Sequence, residues 1–309
     1  MGRPRRVNRH VDGILLFDKP LGVSSNDALQ QVRRLYQADK AGHTGSLDPL
    51  ATGALPICLG EATKLCGVLL DADKHYVAEA QLGVRTSTGD AEGDVIETAA
   101  VPSLESLTRA AAGMLGEIEQ VPPMYSALKH DGQRLYALAR QGIEIERPAR
   151  RVRIHALQIE PASAPDRFRA QVRCSKGTYV RTLIEDLARM AGSCAHLTAL
   201  RRTAVAPFEG RALVTLSQLE AAAVQGVEAL DRLLLAPAAA LAHWPRVAVN
   251  DVQAQRLARG QTLALGAAVE PGRVAVIDRT GTLLGLAEVT VAGCLQPRRW
   301  LRIERSDRL

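Results

Sequence analysis

The chain has 309 residues, 47% apolar and 23% charged, which excludes a disordered or collagen-like body and suggests about two domains with a sizeable core. Its 39 Lys and Arg against 33 Asp and Glu leave a formal charge of +6, gathered in arginine clusters whose guanidinium forks match phosphate oxygens. The same clusters also fit a merely solvated basic surface.

In chain order, the start carries Arg3, Arg5, Arg6 and Arg9 with no acid and reads as a basic tail over residues 1–10. "GILLFDKPLG" follows as a short buried strand that turns at Lys19-Pro20. "SSNDALQQVRRLY" predicts a helix capped by Ser25 or Asn26, with Ala28, Val32 and Leu35 on one face. "HYVAEAQLGV" alternates as a strand, "TSTGDAEGD" is a turn-rich loop, and "SLESLTRAAAGML" is an amphipathic helix capped by Ser103. "GQRLYALARQG" predicts another helix ending at Gly142, joined to Arg147, Arg150, Arg151 and Arg153. "FRAQVRCSKG" is a strand. "TYVRTLIEDLARMAG" is a helix capped by Thr178, with Val180, Leu183, Ile184, Leu187 and Met190 facing the core.

A second, β-rich unit is expected from about Pro245 to residue 309, with a cut after Pro245 leaving the rest folded; Arg298, Arg299, Arg302, Arg305 and Arg308 lie near its end. The five cysteines match no CxxC spacing and are odd in number. They are therefore expected to be free thiols packed as small apolar residues in a reducing compartment, with the cytoplasm as the default location. No apolar run is long enough to span a membrane.

Two segments carry chemistry. "GHTGSLDPLATG", Gly42 to Gly53, holds one carboxylate, Asp48, ahead of Pro49, which biases its backbone away from helix. Glycines at 42, 45 and 53 let backbone approach a ligand. Asp48 can be a nucleophile, a general base or a charge stabiliser; an aspartate that caps a helix or turn fits the same residues. In "SKGTYVRTL", Arg181 sits in a helix's first turn, where the dipole disfavours a cation; either an anionic partner offsets this or solvent screens it. Tyr76 and Tyr179 are two of only ten aromatic residues and read equally as core or as site.

Taken together, "FDKPLGVSSN", "GHTGSLDPLATGALPICLGEATK", "PPMYSALKHDGQRLYALARQG" and "CSKGTYVRTLIEDLA" resemble, in order, the motifs of the bacterial TruB-type tRNA pseudouridine synthases. The resemblance covers most of residues 11–210. Ser24, Ser46 and Ala206 depart from the residues usual in the family, and none of them is the acid. The resemblance implies an α+β pseudouridine synthase fold with a mixed, largely antiparallel sheet. It also implies a catalytic domain over 11–244, an insertion over 124–153 that clasps the T-loop, and a PUA-like RNA-binding domain over 245–309.

The implied activity is isomerisation of uridine 55 in the tRNA T-loop to pseudouridine after the base is flipped out, without cofactor, metal, membrane or obligate protein partner. By resemblance Asp48 is the essential acid, and Arg181 pairs with it and orients it. Tyr76 stacks on the extruded base and helps remove the C5 proton. Tyr179 and Leu200 line the pocket, His43 holds the target strand, and Lys19 and Pro20 support the loop. The resemblance also explains Arg147, Arg150, Arg151 and Arg153 as RNA backbone contacts. A tRNA-binding chaperone without catalysis has the same charge pattern. A glycosidase would need a second placed acid, and none is evident.

Overall fold

The computed structural model describes residues 8–126, 128–139, 141–265 and 269–302. Arg3, Arg5 and Arg6 of the expected tail, and Arg305 and Arg308, lie outside them. The elements run β1 (Gly13–Lys19), α1 (Ser25–Tyr36), β2 (Ala41–His43), β3 (Ala51–Leu59), α2 (Cys66–Asp71), β4 (Lys74–Leu82), β5 (Val84–Thr86), β6 (Val95–Thr98), α3 (Leu104–Gly113) and β7 (Gly116–Gln120). Next come β8 (Lys129–His130), β9 (Gln133–Arg134), α4 (Leu135–Ala139), β10 (Arg150–Pro161), β11 (Arg167–Cys174), α5 (Val180–Met190), β12 (Ala195–Val205), α6 (Leu216–Gln225) and α7 (Val227–Asp231). The last part holds β13 (Arg246–Ala248), α8 (Asp251–Ala258), β14 (Leu263–Ala264), β15 (Gly272–Ile277), β16 (Leu283–Val289) and β17 (Cys294–Trp300).

An eight-stranded sheet in the order β1-β3-β12-β4-β11-β10-β7, with β2 beside β3, forms the body. All its pairings are antiparallel except β3 with β12, so the sheet is mixed and largely antiparallel, with helices packed on it: an α+β fold. That parallel junction sits mid-sheet and sets Leu200, Arg201 and Arg202 against Ala51, Thr52 and Gly53. Only glycine fits at 53: φ is +99°, and a Cβ there would lie 2.2 Å from the Arg202 carbonyl oxygen.

The two faces of β1 serve two cores, as its period of two requires. Leu15 and Phe17 join Ala28, Val32 and Tyr36 of α1. Ile14 and Leu16 join Leu65 and Leu69 of the body, together with Ala275, Leu283, Leu286 and Leu301 of the C-terminal part. On another stretch of the sheet, Ala78, Ala80 and Leu82 of β4 pack with Leu183, Ile184 and Leu187 of α5.

The C-terminal part is a five-stranded sheet, β13-β15-β16-β17-β14, with its own core around Val247, Val274, Val276 and Leu295. It is tied to the body by the shared core and by Glu61, a buried carboxylate in the short 3-10 turn after β3. Glu61 accepts from the Arg302 backbone N–H at 2.6 Å and from Lys64 Nζ at 2.5 Å. Burial opposes its charge, yet these donors hold its pKa below the ordinary value. The shared core bears on the expectation that a cut after Pro245 leaves the rest folded.

Local expectations are corrected at five points, the first being Met190, which ends α5 exposed rather than facing the core. The α1 cap is Ser24, which accepts from the Asp27 N–H at 3.1 Å, because Ser25 is buried and engaged elsewhere. The α5 cap is Tyr179, while the Thr178 hydroxyl donates back to the Ser175 carbonyl. The expected helix at 132–142 is shorter, since Asp131 and Gly132, both at positive φ, turn a β8–β9 hairpin first. Arg9 is no free tail residue: it forms a bidentate pair with Asp231 and donates to the Tyr36 carbonyl. The five cysteines are free thiols, three of them buried, as expected.

Candidate active site

Asp48 opens a turn into β3, closed by the Ala51 N–H on its carbonyl at 3.0 Å, with Pro49 at the position that fixed φ favours. The loop is clamped on both sides of the acid. Leu47 N–H donates to Ser25 Oγ at 2.7 Å, and the Ser25 hydroxyl donates to the Leu47 carbonyl at 3.0 Å. The Gly22 N–H donates to the Pro49 carbonyl at 2.9 Å, tying the Lys19-Pro20 turn to the same loop. The side chain of Asp48 stays half-exposed.

Arg181 meets it from α5, with Nη2 2.9 Å from Asp48 Oδ2. Its guanidinium is buried and fully directed: Nη1 donates to the Thr88 carbonyl at 2.8 Å, Nη2 to the Tyr125 carbonyl at 2.6 Å, and Asp90 Oδ2 lies 3.6 Å from Nη1. Two carboxylates answer the cation that the helix dipole disfavours, so the anionic-partner reading of Arg181 stands.

Lys19 is fully buried and donates to the carbonyls of Pro20 at 2.9 Å and Val23 at 2.6 Å. Burial pulls its pKa down to about 8, against the pull of Asp48. Tyr76 of β4 lies opposite Arg202 of β12. Burial pushes its phenol pKa up, while the charge of Arg202 acts the other way. Leu200 stands between Ala51 of β3 and Ala78 of β4, on the edge of the same core as Tyr76. Tyr179 is fixed through its backbone: its N–H donates to Gln120 Oε1 at 2.9 Å and its carbonyl accepts from Gln120 Nε2 at 3.1 Å. Its phenol pKa is also raised, by burial first, with the charges of Asp48 and Arg181 acting on it too. His43 ends β2, and burial and then Arg202 lower its pKa below the usual value. Such an imidazole is neutral at pH 7.

The fold thus brings Arg181, Lys19, Tyr76 and Tyr179 close enough to Asp48 to pair with it or feel its charge, with Pro20 in the turn tied to its loop and Leu200 and His43 on strands paired with β3. The basic cluster divides. Arg150 is near enough for its charge to act on Tyr179. Arg151 lies opposite Glu119, and Arg153 donates to Glu117 Oε1 at 2.9 Å across the β7–β10 pair. Arg147 turns inward 3.6 Å from Glu144, with Nε and Nη1 buried and without a partner among the described residues.

Asp90, Gln120, Ser25 and Arg202 escaped the sequence reading. Asp90 is one of several acids in a turn-rich loop, and nothing local marks it. Arg202 did leave a signal: adjacent arginines on a strand point to opposite faces, so one of Arg201 and Arg202 had to face inward.

Three family models match the chain in succession. They are "TruB family pseudouridylate synthase (N terminal domain)" over residues 33–180, "tRNA pseudouridylate synthase B C-terminal domain" over 181–242 and "Pseudouridine synthase II TruB, C-terminal" over 245–301. Among curated relatives, the tRNA pseudouridine synthase B of Nitrosococcus oceani is 49% identical over 302 residues, covering 97% of this chain and 98% of its own. That of Burkholderia mallei is 52% identical over 305 residues, 96% of each. Among solved structures, "Crystal Structure of a Cbf5-Nop10-Gar1 Complex" aligns with a TM-score of 0.72 at 24% identity, covering 93% of this chain and 84% of that one.

Proposed function

The chain belongs to the TruB family of pseudouridylate synthases and is a tRNA pseudouridine synthase, and we propose that it isomerises uridine 55 of the T-loop with Asp48 as its essential acid, after flipping the base. The observation that carries the assignment is the contact between the open carboxylate of Asp48 and the buried, fully directed guanidinium of Arg181.

The reaction breaks the bond from ribose C1′ to uracil N1 and forms one from C1′ to C5. The C5 proton leaves and N1 gains one, so nothing is oxidised and no water is consumed. One carboxylate meets this need because the departing base is recaptured, whereas hydrolysis of a glycosidic bond normally divides its work between two. Arg181 orients Asp48 from the protein side and leaves the other edge of the carboxylate for the nucleotide. Extruding a base costs a few kcal/mol. Stacking on an aromatic ring returns about 1–3 kcal/mol, and Tyr76, partly buried at the edge of the core, supplies that face. Leu200 and Tyr179 close the pocket, neutral His43 steadies the strand, and Lys19 and Pro20 brace the loop.

The body over 11–244 carries this chemistry. The segment over 124–153 clasps the T-arm through Arg150 and Arg151, while Arg147, turned inward, and Arg153, already paired with Glu117, contribute less. The PUA-like part over 245–309 adds RNA contacts. The test is tritium release from tRNA carrying 5-tritiated uridine, with the product mapped to position 55. A chain that only bound and folded tRNA would release none.

A further inference from the structure

Among the described residues Arg202 is one of the bulkiest fully buried side chains, 1% exposed, and it lies within the sheet, paired with Gly53 at the start of β3. Its direct partners are carbonyl oxygens: Nε donates to Ala54 at 2.6 Å and Nη2 to Gly45 at 3.0 Å. Among the described residues no carboxylate pairs with it. Burying a cation without a counter-charge costs more than burying a hydrocarbon of similar size, so stability alone does not favour an arginine here.

What the guanidinium joins is informative. Gly45 and Ala54 bracket Asp48 in the chain, one on each side of the loop. Gly45 holds φ at +102°, and a Cβ there would lie 3.7 Å from Arg202 Nη1. Across the antiparallel pair, Arg202 lies directly opposite Tyr76, where side chains share a face and touch. One rigid fork therefore holds both ends of the Asp48 loop beside the strand that carries Tyr76. Lys74 backs the same corner: it is buried, donates to the carbonyls of Leu70 and Ala72, and is pulled by burial to a pKa of about 8.

We propose that Arg202 is a positioning residue of the reaction, fixing both ends of the Asp48 loop against the strand of Tyr76 in one relative geometry without touching the nucleotide. The proposal rests on the reading of Asp48 and Tyr76 given above. Lysine at this position keeps the charge but cannot span the partners, and methionine keeps the volume and loses both. Misplacing reacting groups by about 1 Å costs on the order of 100-fold in rate, so a positioning residue is seen in the chemical step and not in affinity.

The experiment measures single-turnover tritium release at saturating enzyme, alongside tRNA binding, for wild type, Arg202→Lys and Arg202→Met. The expected result is tRNA affinity within about threefold of wild type and rates lowered about tenfold for lysine and about 100-fold for methionine. Lysine should keep more of the rate than methionine, because it retains the charge and can still donate to a carbonyl of the loop. Rates near wild type, losses confined to affinity, or equal losses for the two variants would overturn the proposal. So would failure of both single variants to fold by circular dichroism, which would make Arg202 a packing element. A wild-type enzyme that released no tritium would remove the synthase reading and this proposal with it.

Discussion

Arg181 and Asp48 form a 2.9 Å ion pair between side chains of opposite accessibility, 6% exposed for the arginine and 47% for the aspartate. The arginine is pinned by the Thr88 and Tyr125 carbonyls, so the aspartate takes its position from the protein core while facing solvent. Replacing Arg181 by lysine keeps the charge but cannot satisfy both carbonyls and Asp48 at once. Arg181→Lys should bind tRNA within about tenfold of wild type, or 1.4 kcal/mol, and slow single-turnover pseudouridine formation. An unchanged rate would show that the pair is not used.

Of the basic cluster, Arg150 and Arg151 form no ion pair among the described residues, whereas Arg153 is engaged by Glu117. Replacing Arg150 and Arg151 by alanine should weaken tRNA binding and flatten its salt dependence by about 0.7–0.9 in slope for each lost phosphate contact. Arg153→Ala should change the slope less. A salt titration that gives the wild-type slope for the double variant would return these arginines to a merely solvated face.

The C-terminal part shares a core with β1, and this decides what truncation does. Removing everything after Pro245 strips Leu283, Leu286 and Leu301 from Ile14, Leu16 and Leu65. Burial of each leucine is worth about 1.5–3 kcal/mol, and a domain is stable by only about 5–15 kcal/mol in all. The shortened chain should therefore unfold at a clearly lower temperature, and its lost activity would reflect stability as well as RNA contacts. An unchanged thermal midpoint would contradict the shared core.

Lys74 gives a pH signature. Its folded pKa of about 8 lies below the ordinary 10.5, so between those values the unfolded chain binds more protons than the folded one. Stability then rises with pH across that window. Relative to Lys74→Met, wild type should gain about 2–3 kcal/mol between pH 7 and pH 10. Urea unfolding of both proteins at the two pH values measures it; a flat or opposite difference would show that Lys74 is not desolvated.

The motif around Asp48 was legible because it combines an acid, a proline and glycines with little value to a core, and the helix of Arg181 because its apolar spacing is regular. The strands on either side of the acid were not. β3 is buried on both faces, so "ATGALPICL" shows no alternation to read, and β12 hides its pattern behind two register shifts. The partners of Arg181 and Arg202 escaped for a different reason: Thr88, Tyr125, Gly45 and Ala54 act through backbone carbonyls, which every residue has. Asp90 comes close to Arg181 only through the fold, from a loop separated from it by six strands, three of them in the eight-stranded sheet, and two helices.

The central claim is that Asp48 does the chemistry. Asparagine is nearly isosteric with aspartate and serves turns and caps about as well, so Asp48→Asn should fold normally and bind tRNA within about tenfold of wild type. Lacking charge, basicity and nucleophilicity, it should release essentially no tritium from 5-tritiated tRNA in a single turnover. Near-normal release, with deamidation of the introduced amide excluded by mass spectrometry, would contradict the account and leave Asp48 a turn residue.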